Sequence, residues 1–415
     1  MTISYDPKKL KAALEKAEHK LKDSSLVSPN TLYISSFIIH YVNKMMLTTM
    51  TPWAIYIRSS MTLLNFTIIS LLLLKILIYD RDNSNFKALI FTAFAAIIFS
   101  IFLLSFSTVN PLAMCIYILL IIAADKVDFK KLCLAVFVTG MIIISFVTCM
   151  SQFGRITDLV VFAGANTPPR HSFGFIYPTD YAAHWLFLLL AYFYFREGNL
   201  KWFDYPVILL SALFLKHFCD TKTTFILILG ILILAVLFRT KWFYKLFDKA
   251  KKILIASPVI FAVFSILSTL IFGSYLSSKG FYDENSIIHR LTTGMKMISR
   301  YGFHLQGNYL LEEGFGGSNA PVKDYTFIDN SYLKIALNYG LILFAVILLY
   351  LTFLMLRSIR KKDYALVSVI IVVLIACVLE HHLMDFSYNI FMFAGLTQLT
   401  DTSNFKPKSK KSSGG

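Results

Sequence analysis

Runs of about 20 apolar residues recur from one end of this chain to the other, and each is long enough to cross the hydrocarbon core of a bilayer. A soluble protein of 415 residues would need polar faces that these segments lack. Charge is correspondingly sparse: 15% of residues are charged, against about 25% in an ordinary soluble domain. The expected fold is an all-α polytopic membrane protein.

Spans are predicted at 31–50, 60–79, 86–106, 109–124, 132–150, 175–195, 203–219, 223–238, 253–273, 331–356, 364–380 and 386–400. Twelve crossings place both termini on one side. Basic residues choose that side. Lys126, Lys130 and Lys131 form one cluster, Arg239 to Lys252 a second and Arg357 to Lys362 a third, and Lys406 to Lys411 add a fourth in the tail. By the positive-inside rule these clusters, and both termini, face the cytoplasm. Anionic inner-leaflet lipid is a sufficient partner for them, so no nucleic acid is needed to explain the net charge of +16. The organisation that follows is a cytoplasmic segment over 1–30, helices over 31–272, a large extracellular loop over 273–329, helices over 330–400 and a basic tail over 401–415.

Residues 6–22 predict an amphipathic helix. Asp6 can cap it, Pro7 suits its first position, and Leu10, Leu14, Ala17 and Leu21 share a face. It fits a helix lying on the inner membrane surface, or one that docks a partner. The Lys-rich start has no apolar core of the kind a cleavable signal peptide carries. The five cysteines lie in or near apolar spans without a CxxC pair, which argues against a disulfide framework or a zinc site. The tail from Lys408 predicts disorder.

Polar chemistry is concentrated where the predicted outer face lies. Residues 273–329 form the one long polar stretch, with His289 and Arg290 inside a predicted amphipathic helix (Ile287, Ile288, Leu291, Met295, Ile298), then Arg300, Glu312 and Glu313, and it closes at Asp329-Asn330-Ser331-Tyr332. Three further groups sit at outer helix ends. Thr167-Pro-Pro-Arg170-His171 leads to Tyr177-Pro178-Thr179-Asp180, and its prolines and glycine restrict the chain around Arg170. Asp220-Thr221-Lys222 opens the eighth span, where a lysine adds to the positive end of the helix dipole and is disfavoured unless an anion is near. Glu380-His381-His382 follows the eleventh, and there a polar turn is favoured over a metal site because the histidines lack i,i+4 spacing. Arginine binds phosphate oxygens bidentately, lysine acts as a point charge, and a carboxylate can deprotonate a sugar hydroxyl. Such a set suits displacement at a sugar C1 with a lipid diphosphate leaving. Each residue also has a plainer reading. Arg170 could snorkel to headgroups, Lys222 anchor an interface, Arg290 solvate a loop helix and Asp329 cap the tenth span.

These residues carry a family resemblance. Arg170-His-Ser-Phe-Gly-Phe-Ile-Tyr-Pro resembles the Arg-x-Ser-Phe-Gly-Phe-x-His-Pro-Asn pattern of Gram-positive Wzy-type polysaccharide polymerases. Asp329-Asn-Ser-Tyr-Leu, with Asn338-Tyr-Gly-Leu-Ile after it, resembles the motif closing the large outer loop in the O-antigen polymerase and ligase superfamily. The resemblance implies a GT-C-like, inverting glycosyltransferase that needs neither metal nor cofactor. Its substrates would be undecaprenyl-diphosphate-linked oligosaccharide and polysaccharide, with a flippase and a chain-length regulator as further candidate partners. It places Arg170, Lys222 and Arg290 on the donor diphosphate and makes Asp329 the base. Tyr177, His289, Asn330, Tyr332 and Glu380 become candidates for sugar contact or orientation. Lys222 stands where arginine is usual, and Asp329 stands where ligases carry histidine, which favours a polymerase. Tyr177 and Thr179-Asp180 replace the usual histidine and asparagine. The rival readings are a ligase and, in another class, a lipid-linked sugar transporter. The transporter would need a mid-membrane charge, for which Lys75 is the main candidate.

Overall fold

The computed structural model describes residues 28–80, 86–162, 168–280, 287–318 and 322–403. The helix expected over 6–22, Thr167 of the proline motif and the tail beyond 403 lie outside the described residues. Within them the chain is a helical bundle with one two-stranded ribbon. Four helical stretches are long and apolar enough to cross a membrane: Ala54–Asp80, Phe129–Gln152, Lys241–Ser278 and Gly340–Arg360. Their exposed faces are apolar, with Leu63, Phe66, Phe264 and Leu349 among the large side chains turned outward. That is the inverse of a soluble helix and fits lipid contact.

In chain order the helices are α1 (Pro29–Met46), α2 (Ala54–Lys75), α3 (Phe86–Leu104), α4 (Pro111–Ile122), α5 (Phe129–Gln152), α6 (Pro178–Phe195) and α7 (Asp204–Phe218). They continue as α8 (Lys222–Leu237), α9 (Lys241–Ser268), α10 (Ser274–Ser278), α11 (Ile287–Tyr301), α12 (Ser331–Asn338), α13 (Gly340–Arg360) and α14 (Tyr364–Leu379).

The structure departs from these expectations in four places. The basic segment at 241–252 and the start of the expected outer loop are not separate elements. A π-turn over Thr269–Gly273 joins α9 and α10 into one helical stretch of 38 residues ending at Ser278. The loop therefore opens later than residue 273.

The tenth span is broken rather than continuous. Gly340 takes φ +85°, and a Cβ there would strike the backbone of 305–307. Only glycine permits that approach.

The twelfth span is not an α-helix. Residues 386–400 hold a six-residue 3₁₀ turn, Ile390–Gly395, set in irregular chain. The segment still runs the length of the bundle. It leaves α14 at Glu380 and reaches Gln398, whose N–H donates to Val127 at 2.7 Å, while Thr402 bonds Lys362 before α14 begins. Irregular backbone is tolerated at membrane depth only when protein covers it. Here it is buried. Phe391, Met392 and Phe393 are at most 2% exposed, and Arg357 donates to the carbonyls of Ala394 and Thr397 at 3.1 and 2.6 Å.

Lys75 is not a free mid-span charge. A π-turn over Ile76–Asp80 winds the chain so that residues five apart share a face. Lys75 Nζ thus meets Asp80 Oδ2 at 2.8 Å and the Asp125 carbonyl at 2.5 Å, fully buried.

Candidate active site

One end of the bundle gathers the polar groups. Helix α13 begins there and runs 21 residues to Arg360, so the Arg357–Lys362 cluster lies about 30 Å away at the far end.

Arg170 is set by a local turn. Strand β1 (Val160–Val161) pairs with β2 (Arg170–His171), and the chain reverses through Phe173 (φ +49°) and Gly174 (φ +87°). Asp158 holds that reversal. Its carboxylate accepts from the Ser172 and Phe173 N–H groups at 3.0 and 2.7 Å and meets His171 Nδ1 at 2.6 Å. His171 therefore belongs to the turn. Arg170 is 9% exposed, donates through Nε to the Cys219 carbonyl at 3.0 Å and leans over the Tyr177 ring at 5.9 Å.

Arg290 arrives on α11, the amphipathic helix expected in the outer loop. Two glycines let this helix sit close. A Cβ at Gly273 would lie 2.5 Å from the Leu291 carbonyl, and one at Gly294 would lie 2.8 Å from Thr269. The docked helix brings Arg290 Nε to 3.2 Å from Asp329 Oδ2 and Arg290 Nη2 to 3.7 Å from Glu380 Oε1. Arg290 is thus an ion-pairing residue at the bundle mouth, not one solvating a loop helix.

Asp329 does not cap the tenth span. That role falls to Asn330, whose Oδ1 accepts from the Leu333 N–H at 3.1 Å while Nδ2 donates to Ser265 Oγ at 2.5 Å. Asn330 is thereby occupied in structure, and Asp329 is left facing Arg290. Burial pushes the Asp329 carboxyl above the usual aspartate range, and Arg290, Lys334 and His289 pull only partly the other way. Glu380, one residue past the end of α14, is pushed up to about 7 by burial, with Arg290 opposing and Asp329 reinforcing the shift. The Arg170 charge also pulls the Glu380 carboxyl down, less than Arg290 does.

An aromatic rim joins the two arginines. Tyr177 stacks on Phe315 at 6.1 Å with planes 8° apart, Phe315 meets Tyr325 at 5.4 Å, and Tyr325 meets His289 at 4.8 Å. Phe315 and Tyr325 escaped the sequence reading. Aromatic residues in a loop carry no period, and only the fold puts them in line.

The structure therefore brings together Arg170, Tyr177, His289, Arg290, Asp329 and Glu380. Two expected residues stay apart. Lys222 opens α8 as an exposed side chain with no ion pair among the described residues. Its neighbours explain the outcome, because Asp220 turns back (φ +47°) to pair with Lys216. Tyr332 is 0% exposed and donates to the Leu374 carbonyl at 3.0 Å, so it packs α12 against α14 and cannot touch a sugar. Elsewhere in the loop, Arg300 pairs with Asp324 at 2.8 Å and Glu312 with Lys334 at 2.9 Å, which fixes the loop's return path.

A cavity of about 410 Å³ is lined by Ser331 and His381 together with His40, Lys44, Tyr117 and Lys334. Neither Arg290 nor Asp329 lines it. The charged cluster, not this cavity, holds the Arg290–Asp329 ion pair.

No protein-family model, curated protein or solved structure matches this chain.

Proposed function

We propose that this protein is a membrane glycosyltransferase of the Wzy-type polymerase kind, working on lipid-diphosphate-linked glycans at the extracellular face. The observation that carries the reading is the Arg290–Asp329 pair, with Glu380 on the second edge of the guanidinium and Arg170 beside it. Two arginines suit a diphosphate, because each offers a planar fork of donors to phosphate oxygens. A buried carboxylate with a raised pKa suits a base, since proton transfer is most effective when its pKa approaches the working pH.

In the proposed reaction the acceptor hydroxyl oxygen attacks the anomeric carbon of the donor glycan. The bond from that carbon to the phosphate oxygen breaks with inversion, and the lipid diphosphate leaves with the electron pair. Arg170 and Arg290 stabilise its negative charge. The hydroxyl proton passes to Asp329. Since Oδ2 faces Arg290, we assign Oδ1 to the acceptor. Glu380 holds the Arg290 fork in place. Tyr177, Phe315 and Tyr325 present half-buried ring faces along which sugar rings can lie. No step passes through a metal or cofactor.

The test is the product formed by purified protein from one defined undecaprenyl-diphosphate-linked repeat unit. A ladder of lengths on one lipid supports polymerisation. Transfer to a different acceptor would make it a ligase, and movement without bond formation a transporter.

A further inference from the structure

Glu380 has two carboxylate oxygens, and the second leads to a different set of groups. Oε1 faces Arg290, whereas Oε2 lies 3.9 Å from His382 Nε2, too far for a hydrogen bond. His382 is 0% exposed, and neither of its ring nitrogens has a hydrogen-bond partner in the described structure. His381 Nδ1 is buried and unpartnered as well. Stacking does not account for this. His382 stacks on Tyr388 at 3.8 Å and meets His381 at 4.2 Å, which covers the ring faces. The nitrogen lone pairs and N–H bonds lie in the ring plane and point elsewhere. Burying such groups unpaired is costly enough that folded proteins rarely do it.

A third group converges from a distant element. Asp180 sits in the first turn of α6, and one ligand atom from each of Asp180, His381 and His382 lies within 4.8 Å of the others. Bonds of about 2.0–2.2 Å to a tetrahedral ion set its ligand atoms about 3.4 Å apart, so side-chain rotations closing at most about 1.4 Å complete the geometry. The donor set decides the class of ion. Two imidazoles and one carboxylate suit borderline divalent transition metals, whereas magnesium and calcium take oxygen ligands. Tyr388 hydrogen-bonds the Asp180 side chain, the kind of outer contact that orients a ligating carboxylate. The adjacency of His381 and His382 hides this arrangement in the sequence, because the third ligand is 201 positions away from the first histidine by their numbering.

We propose that Asp180, His381 and His382 bind one divalent transition-metal ion of the zinc class. The ion ties the start of α6 to the turn after α14, next to Glu380, whose Oε2 lies 3.9 Å from His382 Nε2. It holds no reacting atom in the transfer step, and the proposal stands whether or not the glycosyltransferase reading does.

The experiment is a cobalt titration of the untagged full-length protein in detergent after chelator treatment. Co²⁺ reports its own coordination through visible absorption bands. One equivalent per chain is expected, with the intense bands of a four- or five-coordinate site and complete displacement by Zn²⁺. His382→Gln, His381→Gln and Asp180→Asn are each expected to weaken binding at least tenfold. Wild-type protein that shows no saturable cobalt uptake overturns the proposal, and this arm does not depend on any variant folding. Uptake that all three folded variants retain at wild-type affinity overturns it equally.

Discussion

Arg290 Nε and Asp329 Oδ2 lie 3.2 Å apart, joining a helix of the loop to the residue where the loop ends. The pair acts as a unit in the proposed reaction, so its energetics are expected to be non-additive. Arg290→Ala should lower transfer by about 10²–10³-fold, the usual cost of one transition-state donor. Adding Asp329→Ala to it should cost far less than Asp329→Ala costs alone. Rates of the two single variants and the double variant on one lipid-linked substrate check this.

Lys222 provides the contrast. It is exposed and outside the cluster, so Lys222→Ala should keep transfer within about threefold of wild type, as expected for a surface position away from the chemistry. A loss as large as that of Arg290→Ala, measured on the same substrate, would put Lys222 back on the diphosphate.

In the proposed reaction the charge state of Asp329 sets a pH limit. Its carboxyl is raised by burial, so the active ionised form is lost at a higher pH than for an ordinary aspartate near about 3.9. The rate should climb with pH through the raised value and then level off. Arg290 pulls that value down, so Arg290→Gln should move the acid limb of kcat/KM to still higher pH. A limb that stays put in this variant would separate Asp329 from the proton transfer.

Residues without chemistry also make predictions. A Cβ at Gly273 would sit 2.5 Å from the Leu291 carbonyl, a backbone atom that cannot swing aside. Gly273→Ala should therefore push α11 away and reduce transfer at least tenfold without touching the site. Tyr332→Phe should do the opposite. It removes a buried hydroxyl bonded to Leu374 and should cost about 1 kcal/mol of stability with KM unchanged. Thermal melts beside rate measurements distinguish the two.

Much of this was legible in the sequence, for identifiable reasons. Long apolar runs specify helices whatever their neighbours, so α5 and α6 lie close to where those runs place them. The amphipathic pattern of 287–298 likewise revealed α11 and, with it, Arg290. What failed had long-range causes. The irregular chain at 386–400 is apolar because protein buries it, and composition alone cannot separate that from a helix facing lipid. Gly340 breaks the tenth span through an approach to Gly307 that no local rule encodes. The cap at Asn330 rather than Asp329 was a choice between two adjacent capping residues, decided by the Ser265 contact. Asp158, Phe315 and Tyr325 reach the site only by tertiary placement.

The most direct test is a single comparison: release of undecaprenyl diphosphate by wild-type protein and by Asp329→Asn from one defined lipid-linked repeat unit, with both proteins folded and reconstituted at equal amounts. Wild type should release one carrier per unit added to the chain. Asp329→Asn should release it at least about 10²-fold more slowly, the low end of what a general base contributes. Release by Asp329→Asn at the wild-type rate, or chain growth without it, would contradict the account.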